Sequence, residues 1–286
     1  MGFEKNDYFA FENATVTADF DSPGASLGTK WNCKTEIFPG FKRVTVCNKR
    51  IWSIAEMCRE RFHVSRYDDS DFLKFRSEDS KSHLDVVSRA RRKLFDLIAL
   101  NSWDWFVTLT LDKSMIDRGD VKAFSRKLNS FLHNSVQRQG ISYILVPELH
   151  KDGAYHAHAL ISGDLPVVDS GTVTWKGNKR PVKRSTALKR FIPDDELITV
   201  YNVPSWKYGF TTAIKTYGKG DKLAAYVGKY LTKDSVKIFG RRYWHSRNIR
   251  QYPDVFYSSC EFINAKGVEY VNEYSGEKYR IITIYE

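Results

Sequence analysis

Two histidines separated by one residue, His156 and His158, lie in a segment (155–161, YHAHALI) whose pattern is typical of a β-strand. Residues two apart in a strand point to the same face, so the imidazoles project together about 6–7 Å apart. Both rings can then bind one metal ion. The alternative is two half-buried strand histidines with ordinary hydrogen bonds. The segment therefore predicts a β-sheet with a candidate metal site on one face.

A third ligand is expected from the preceding predicted strand, 142–149, where Glu148 is the candidate. With a two-residue loop between the strands, Leu149 would lie opposite His156, and Glu148 would point to the other face. With a three-residue loop and Gly153 in the left-handed position, Glu148 lies opposite His156. Two imidazoles and one carboxylate leave open coordination positions and suit Mn²⁺ or Mg²⁺.

A second pattern, YVGKYLTK at 226–233, predicts a helix that Asp221 begins. Tyr226, Tyr230 and Lys233 share one face of this helix, and Lys229 lies to the side. A phenol, with a pKa of about 10, is a poor nucleophile until nearby cations favour the phenolate. Lys233 and a metal ion could stabilise that charge and allow attack on a phosphodiester. The alternative is a helix whose tyrosines pack and form hydrogen bonds only.

Positive charge is concentrated in one part of the chain. The net charge is +11, and residues 171–250 contain 18 Lys+Arg and 5 Asp+Glu, a local net charge of +13. Such a field indicates a polyanionic partner such as nucleic acid. The candidate DNA-binding residues are Thr108, Thr110, Lys176, Lys179, Arg180, Lys183, Arg184, Arg241 and Arg242. Trp175, Tyr243 and Trp244 could stack on exposed bases or pack in the core.

Several classes of function are not supported by the sequence. The four cysteines are irregularly spaced without a CxxC pair, which is weak evidence for a disulfide framework or a zinc ribbon. No phosphate-binding loop of the G-x-x-x-x-G-K-[ST] type is present, so no nucleotide cofactor is expected. The sequence shows no long apolar run, and we expect a soluble, cytoplasmic protein that does not bind membranes.

The order of predicted elements indicates the fold class. A strand at 105–111 precedes a helix capped by Asp120, and strands at 142–149, 155–162 and 206–214 follow before the tyrosine helix. An earlier helix is expected to begin at a capping box on Ser82. This order predicts an α+β fold, in which an antiparallel β-sheet has helices packed mainly on one face.

Three regions are expected along the chain. Residues 1–80 form an N-terminal accessory region, 81–250 the main domain, and 251–286 a C-terminal extension with a β-hairpin at 269–286. Within the main domain, residues 163–204 are rich in proline and basic residues, which predicts a basic loop insertion.

These motifs resemble those of the HUH endonuclease superfamily, and within it the rolling-circle replication initiators (Rep proteins) of single-stranded DNA phages and plasmids. The strand at 105–111, the histidine strand at 155–161 and YVGKYLTKD at 226–234 match in order, over about residues 85–250. One departure is the small Ala157 between the histidines. The resemblance implies an HUH/RRM-like, ferredoxin-like core.

The resemblance also implies roles. Glu148 would be the acidic metal ligand, Tyr230 the first nucleophile, and Tyr226 the second nucleophile or an assisting group. Single-stranded or hairpin origin DNA, a host helicase and a host DNA polymerase would be the partners, in a bacterial cytoplasm. We therefore expect a metal-dependent endonuclease and strand transferase that starts rolling-circle replication. The alternatives are a relaxase or single-strand transposase with the same chemistry, and a DNA-binding module without catalysis.

Overall fold

The structure is a computed structural model. It describes residues 9–11, 14–18, 29–52, 80–117, 119–149, 153–178, 180–216, 220–230, 241–262, 268–271 and 276–286. The chain divides into two compact units. The first comprises residues 1–79, 99–101 and 250–286, and the second comprises 80–98 and 102–249.

The described residues form fifteen β-strands and four α-helices. In chain order they are β1 (Phe9–Phe11), β2 (Ala14–Ala18), β3 (Cys33–Phe38), β4 (Phe41–Cys47), α1 (Ser80–Ala99), β5 (Trp105–Thr110), α2 (Val121–Gln139), β6 (Ser142–Leu149), β7 (Tyr155–Ser162), β8 (Val168–Thr174), β9 (Val182–Lys183), α3 (Arg184–Lys189), β10 (Ile198–Asn202), β11 (Thr211–Lys215), α4 (Gly220–Val227), β12 (Trp244–His245), β13 (Asp254–Ser258), β14 (Val268–Val271) and β15 (Lys278–Tyr285). Short 3₁₀ helices cover Asp194–Glu196 and Gly228–Tyr230. No helix among the described residues is both long and apolar enough to span a membrane.

The first unit contains a seven-stranded sheet in the order β1-β2-β13-β3-β4-β15-β14. β13 lies between β2, to which it is parallel, and β3, to which it is antiparallel. Strands from both ends of the sequence therefore belong to one sheet. The predicted C-terminal hairpin is confirmed by the antiparallel pairing of β14 with β15. Cys33, Cys47 and Cys260 are free thiols, and Cys58 lies outside the described residues.

The second unit contains an eight-stranded sheet in the order β12-β6-β7-β5-β11-β10-β8-β9, with every neighbouring pair antiparallel. The predicted α+β class with an antiparallel sheet is confirmed, as are the strands at 105–110, 142–149 and 155–162. The fourth predicted strand is shorter than expected. β11 covers only Thr211–Lys215, and Trp206 instead packs in the core.

Helices cover both faces of this sheet, whereas the sequence analysis placed them mainly on one. On one face, Val107, Leu109 and Ala159 pack with Phe124 and Leu128 of α2. On the other face, four strand residues pack against α1 and α4: Phe106, Ile144, Val146 and Leu160. The reason is that the central strands carry apolar side chains on both faces, so each face must be covered to exclude water.

The region 163–204, which its composition predicted to be a loop, contains three strands and a short helix. β10, β8 and β9 extend the sheet beyond β11, and α3 follows β9. Most side chains of β8 are exposed or half-buried, and Val173 is its buried residue. A strand with so few buried positions lacks the apolar alternation by which strands are recognised in sequences.

Helix boundaries follow local capping where the structure describes it. The Asp120 side chain accepts hydrogen bonds from the amides of Lys122 and Ala123, which confirms the predicted start of α2. α1 begins at Ser80, two residues before the predicted capping box at Ser82. α4 ends at Val227, and the chain then tightens into the 3₁₀ turn that contains Tyr230.

Gly209 allows the chain before β11 to approach the end of β5 closely. The amides and carbonyls of Thr110 and Phe210 pair with each other, and the Asp112 amide donates to the Tyr208 carbonyl. At Gly209 the φ angle is +152°, and a Cβ would lie 2.2 Å from the carbonyl oxygen of Thr110 and 2.4 Å from the Asp112 nitrogen. These neighbours are backbone atoms, so they cannot move aside by a change of rotamer.

We expect Gly209→Ala to reduce the free energy of unfolding by about 3 kcal/mol, because it adds a backbone clash to the cost of a positive φ angle. Gly177→Ala is the matched control. Gly177 also has a positive φ (+87°), but a Cβ there meets nothing within 4 Å. The control should lose only about 1 kcal/mol. Urea unfolding followed by tryptophan fluorescence measures both values, and equal losses would contradict the clash.

Candidate active site

The pairing of β6 with β7 fixes which side chains share a face with the histidines. Glu148 lies opposite His156, which is the register predicted for a three-residue loop. Gly153, at the end of that loop, has a φ of +80°. On its other side, β7 pairs with β5 so that Thr110 lies opposite His156 and Thr108 opposite His158. One row across three strands is therefore Thr110, His156 and Glu148.

Threonines of β5 form a hydrogen bond with one nitrogen of each histidine ring. The Oγ1 of Thr108 lies 3.2 Å from Nδ1 of His158, and the Oγ1 of Thr110 lies 3.0 Å from Nδ1 of His156. Both threonines were predicted as DNA contacts, but the structure places them against the imidazoles. A hydrogen bond at Nδ1 fixes the ring orientation and leaves Nε2 for a ligand.

The carboxylate of Glu148 contacts the second histidine diagonally across the two strands. Its Oε2 lies 2.7 Å from Nε2 of His158. Diagonal neighbours on a sheet face are within reach of long side chains. His158 is 8% exposed, whereas the Glu148 side chain is partly open to solvent. The polar ends of both side chains thus meet where the strand face opens towards solvent.

The donor types at this position fit a hard or borderline divalent cation. Imidazole Nε2 and carboxylate oxygen are suitable ligands for Mn²⁺ and Mg²⁺, and each histidine already has an Nδ1 partner. Among the described residues, no group of three or more His, Cys, Asp or Glu side chains is placed so that it could hold a metal ion. In this structure Glu148 is instead hydrogen-bonded to Nε2 of His158.

The tyrosine pair lies directly above this position. The Tyr230 ring stacks on the His158 ring with centroids 3.9 Å apart and an interplanar angle of 21°. The hydroxyls of Tyr226 and Tyr230 lie 3.1 Å apart. Phe106 packs beside both rings, with its centroid 5.8 Å from that of His158 and 6.2 Å from that of Tyr230. The imidazole pair and the phenols therefore converge on one face of the sheet.

The apolar side of α4 sets the position of the two tyrosines. Ala224 and Val227 are buried in the same cluster as Leu160 and Val146 of the sheet. Tyr226 lies at the margin of this packing: it is 44% exposed, and its ring contacts those of Phe106 and Tyr230 edge-on. The 3₁₀ turn after Val227 then brings Tyr230 back over β7.

The environment of Tyr230 keeps its phenol protonated. Burial is the largest cause that raises the pKa of Tyr230 well above its ordinary value, followed by the hydrogen bond with Tyr226 and the negative charge of Glu148. A raised pKa favours the neutral phenol, so without a cation Tyr230 is a weak nucleophile at neutral pH.

Lys229 supplies a cationic group near the tyrosines. Its Nζ lies 5.5 Å from the centroid of the Tyr226 ring. Lys233 lies outside the described residues. The sequence analysis missed Phe106, although the alternation of β5 places Phe106 on the face of Thr108 and Thr110.

The predicted DNA-contact residues fall into two groups. Lys176, Arg180, Lys183, Arg184 and Arg241 are exposed, and Arg184 forms an ion pair with Asp194. Lys179 lies outside the described residues. Arg242, in contrast, is 6% exposed, and burial lowers the pKa of its guanidinium. Its charge does not lie at the surface, which argues against the predicted role in backbone binding.

The predicted stacking aromatics are at least partly used in packing. Trp244 packs against the cluster on the α2 face, and Tyr243 packs against the cluster on the α1 face. Trp175 is half-buried in the turn that follows β8. For Tyr243 and Trp244 the packing alternative therefore has direct support.

Comparison with known proteins gives one match. Residues 104–235, which include β5, β7 and the tyrosine pair, match the family model of replication-associated protein ORF2/G2P. This match covers less than half of the chain. It supports a Rep-type replication initiator family and a role in replication initiation. No curated protein and no solved structure matches.

We expect Tyr226→Phe to lower the pKa of Tyr230 in the metal-free protein, because the substitution removes one of the groups that favour the neutral phenol. Burial remains, so the pKa should stay above the ordinary value of about 10. Carbon-13 NMR of labelled tyrosine Cζ atoms, assigned with Tyr230→Phe, measures the titration midpoint. Tyr208→Phe is the control and should leave it unchanged. An unchanged or higher midpoint in Tyr226→Phe would refute the coupling.

Proposed function

We propose that the protein cleaves single-stranded origin DNA through a tyrosine and rejoins the strands, and that this reaction initiates rolling-circle replication. One observation carries the proposal: the phenol of Tyr230 stacks on His158, whose Nε2 is hydrogen-bonded to Glu148. A nucleophile therefore lies next to two potential metal ligands. The match to a replication-associated family supports the same role.

The reaction exchanges one phosphoester bond for another. The Tyr230 Oη would attack the scissile phosphorus, and the bond from phosphorus to the 3′ oxygen would break. The products are a 5′-phosphotyrosine and a free 3′-OH, and the phenolic proton ends on the 3′ oxygen or in solvent. Because the phosphotyrosine conserves the bond energy, a 3′-OH can later attack it and restore the strand.

The ligands of a divalent cation would be Glu148, His156 and His158. When bound, Mn²⁺ or Mg²⁺ would neutralise phosphate oxygens and offset the negative charge of Glu148 that contributes to the raised pKa of Tyr230. Thr108 and Thr110 orient the two rings from β5. Tyr230 covers the ring of His158, and Phe106 packs beside both rings, which limits the access of His158 to water.

The second tyrosine fits a second transfer. Tyr226 is within hydrogen-bonding distance of Tyr230 and is more exposed. After Tyr230 has been esterified, Tyr226 could attack a second phosphate from nearly the same position. Both cleaved 5′ ends would then stay covalently linked to the protein. Lys229, beside the Tyr226 ring, and Lys233 would stabilise the developing phenolate.

The expected partners follow from this chemistry. The substrate would be single-stranded or hairpin origin DNA, held along its phosphates by exposed cations, namely Lys176, Arg180, Lys183, Arg184 and Arg241. A free 3′-OH is a primer, so a DNA polymerase and a helicase of the bacterial host would act next. The proposal places the protein in the host cytoplasm.

The nucleophile is tested with end-labelled single-stranded origin DNA and Mn²⁺. The wild-type protein should form a covalent adduct that survives denaturing electrophoresis. We expect Tyr230→Phe to reduce the single-turnover rate of adduct formation by at least about 10³-fold, because Tyr230 is the tyrosine whose ring stacks on His158 among the described residues. We expect Tyr226→Phe to keep the first cleavage and to lose the second transfer.

Tyr208→Phe serves as the matched control and should behave like the wild-type protein. A mobility shift without any adduct would indicate a DNA-binding module and refute the nicking chemistry. Adducts that rejoin the ends of an element, and do not recircularise one origin, would indicate a single-strand transposase instead.

The metal site is tested without DNA. We expect Thr110→Val to weaken Mn²⁺ binding about 10- to 100-fold by removing the Nδ1 partner of His156, and Glu148→Gln to weaken it at least as much. Electron paramagnetic resonance of free Mn²⁺ measures the affinity. Glu196→Gln removes an exposed carboxylate in the same unit and should change nothing. Unchanged Mn²⁺ affinity in Glu148→Gln would refute its role as a ligand.

A further inference from the structure

Phe191 occupies a backbone position that normally favours glycine. Among the described residues, it is the one non-glycine residue with a positive φ angle (57°). It directly follows α3 and closes that helix with two reverse hydrogen bonds: its own amide donates to the Leu188 carbonyl, and the Ile192 amide donates to the Ala187 carbonyl. This is the Schellman motif, whose left-handed residue is usually glycine because a side chain there costs stability.

Packing does not explain the phenylalanine. Phe191 is 93% exposed, the highest exposure among the large hydrophobic residues that the structure describes. The neighbouring Leu188 is also about half exposed. Because the Phe191 ring lies in water, it adds no free energy of burial to the folded state. The side chain therefore adds only the free-energy cost of the left-handed backbone conformation. Strain that the fold does not need is often associated with binding sites.

Basic residues precede Phe191 in the sequence. Lys189 and Arg190 immediately precede it, and Lys183 and Arg184 lie at the start of the same helix, all exposed. Three carboxylates follow at 194–196, and Asp194 is paired with Arg184. Between 171 and 193 the sequence contains seven Lys+Arg and no Asp or Glu. The exposed ring is therefore preceded by a basic stretch.

We propose that Phe191 is a stacking platform for an unpaired nucleotide base, on a strand whose phosphates the neighbouring cations hold. The proposal rests on the proposed function, in that the ligand is single-stranded DNA. Aromatic rings beside Lys and Arg are the usual means of binding single strands, because every base has a face for stacking. A partner protein would require a broader apolar surface with fewer charges at its centre.

The position of α3 places this contact away from the scissile phosphate. α3 contacts β8 and β9, and β8 is four strand positions from β7 in the sheet. At about 4.8 Å between strands, the separation is roughly 20 Å. Phe191 would thus hold a flanking nucleotide several residues from the cleaved bond, and its loss should change affinity more than the rate of chemistry.

The test compares DNA affinity with protein stability. We expect Phe191→Gly to bind a fluorescent oligothymidylate about 5- to 150-fold more weakly at fixed salt, while its melting temperature stays the same or rises. Phe191→Asn, which tolerates the left-handed conformation, should behave in the same way. Phe191→Trp should keep the affinity. Tyr285→Ala removes an exposed aromatic ring from the other unit and should leave the binding unchanged.

An abasic oligonucleotide of equal length isolates stacking from charge. The wild-type protein and Phe191→Gly should bind it equally, because it offers phosphates without bases. Equal binding of oligothymidylate by the two proteins would overturn the proposal, as would a lower melting temperature of both the glycine and asparagine variants. If the wild-type protein forms no covalent adduct but its binding depends on Phe191, the nicking chemistry fails and the stacking platform stands.

Discussion

The antiparallel pairing of β7 with both β5 and β6 is the constraint on which the candidate site depends. It aligns Thr110, His156 and Glu148 in one row, and places Thr108 and His158 in the next. A slip of one residue in either pairing would turn half of these side chains to the opposite face. The apolar residues of the same strands resist that slip, because both faces are packed against helices.

The polar atoms of the site satisfy one another in the absence of substrate. Glu148 is bound to His158, and Tyr226 is bound to Tyr230. A phosphate approaching Glu148 would meet a like charge, and the nearby Tyr230 stays neutral because burial raises its pKa. In the proposed reaction a divalent cation held by Glu148 would lower both obstacles, since it would attract the substrate and favour the phenolate. The proposed metal dependence would thus follow from the charges of this site.

The parts predicted from the sequence are those set by local patterns. β5, β6 and β7 alternate or are continuously apolar, α2 has its Asp120 cap, and the spacing of the tyrosines fixes their shared face. The failures concern non-local structure. β8, next to the edge strand β9, has few buried residues, and β13 pairs with β2 and β3 from the other end of the chain. Nothing in the RR pair at 241–242 shows that Arg242 is buried.

In the proposed function, cutting and holding a nucleic acid make opposite electrostatic demands. A cutting site would use the carboxylate of Glu148 to hold a cation, and Glu148 would repel DNA if it were the main contact. Binding of the backbone would need exposed cations. Such cations lie on β9 and α3, and β9 is five strand positions from β7, or about 24 Å across the sheet. The segment that the sequence analysis took for a loop carries these cations on the same sheet as the candidate site. A continuous sheet fixes the distance between the two, so it could define which phosphate would reach Tyr230.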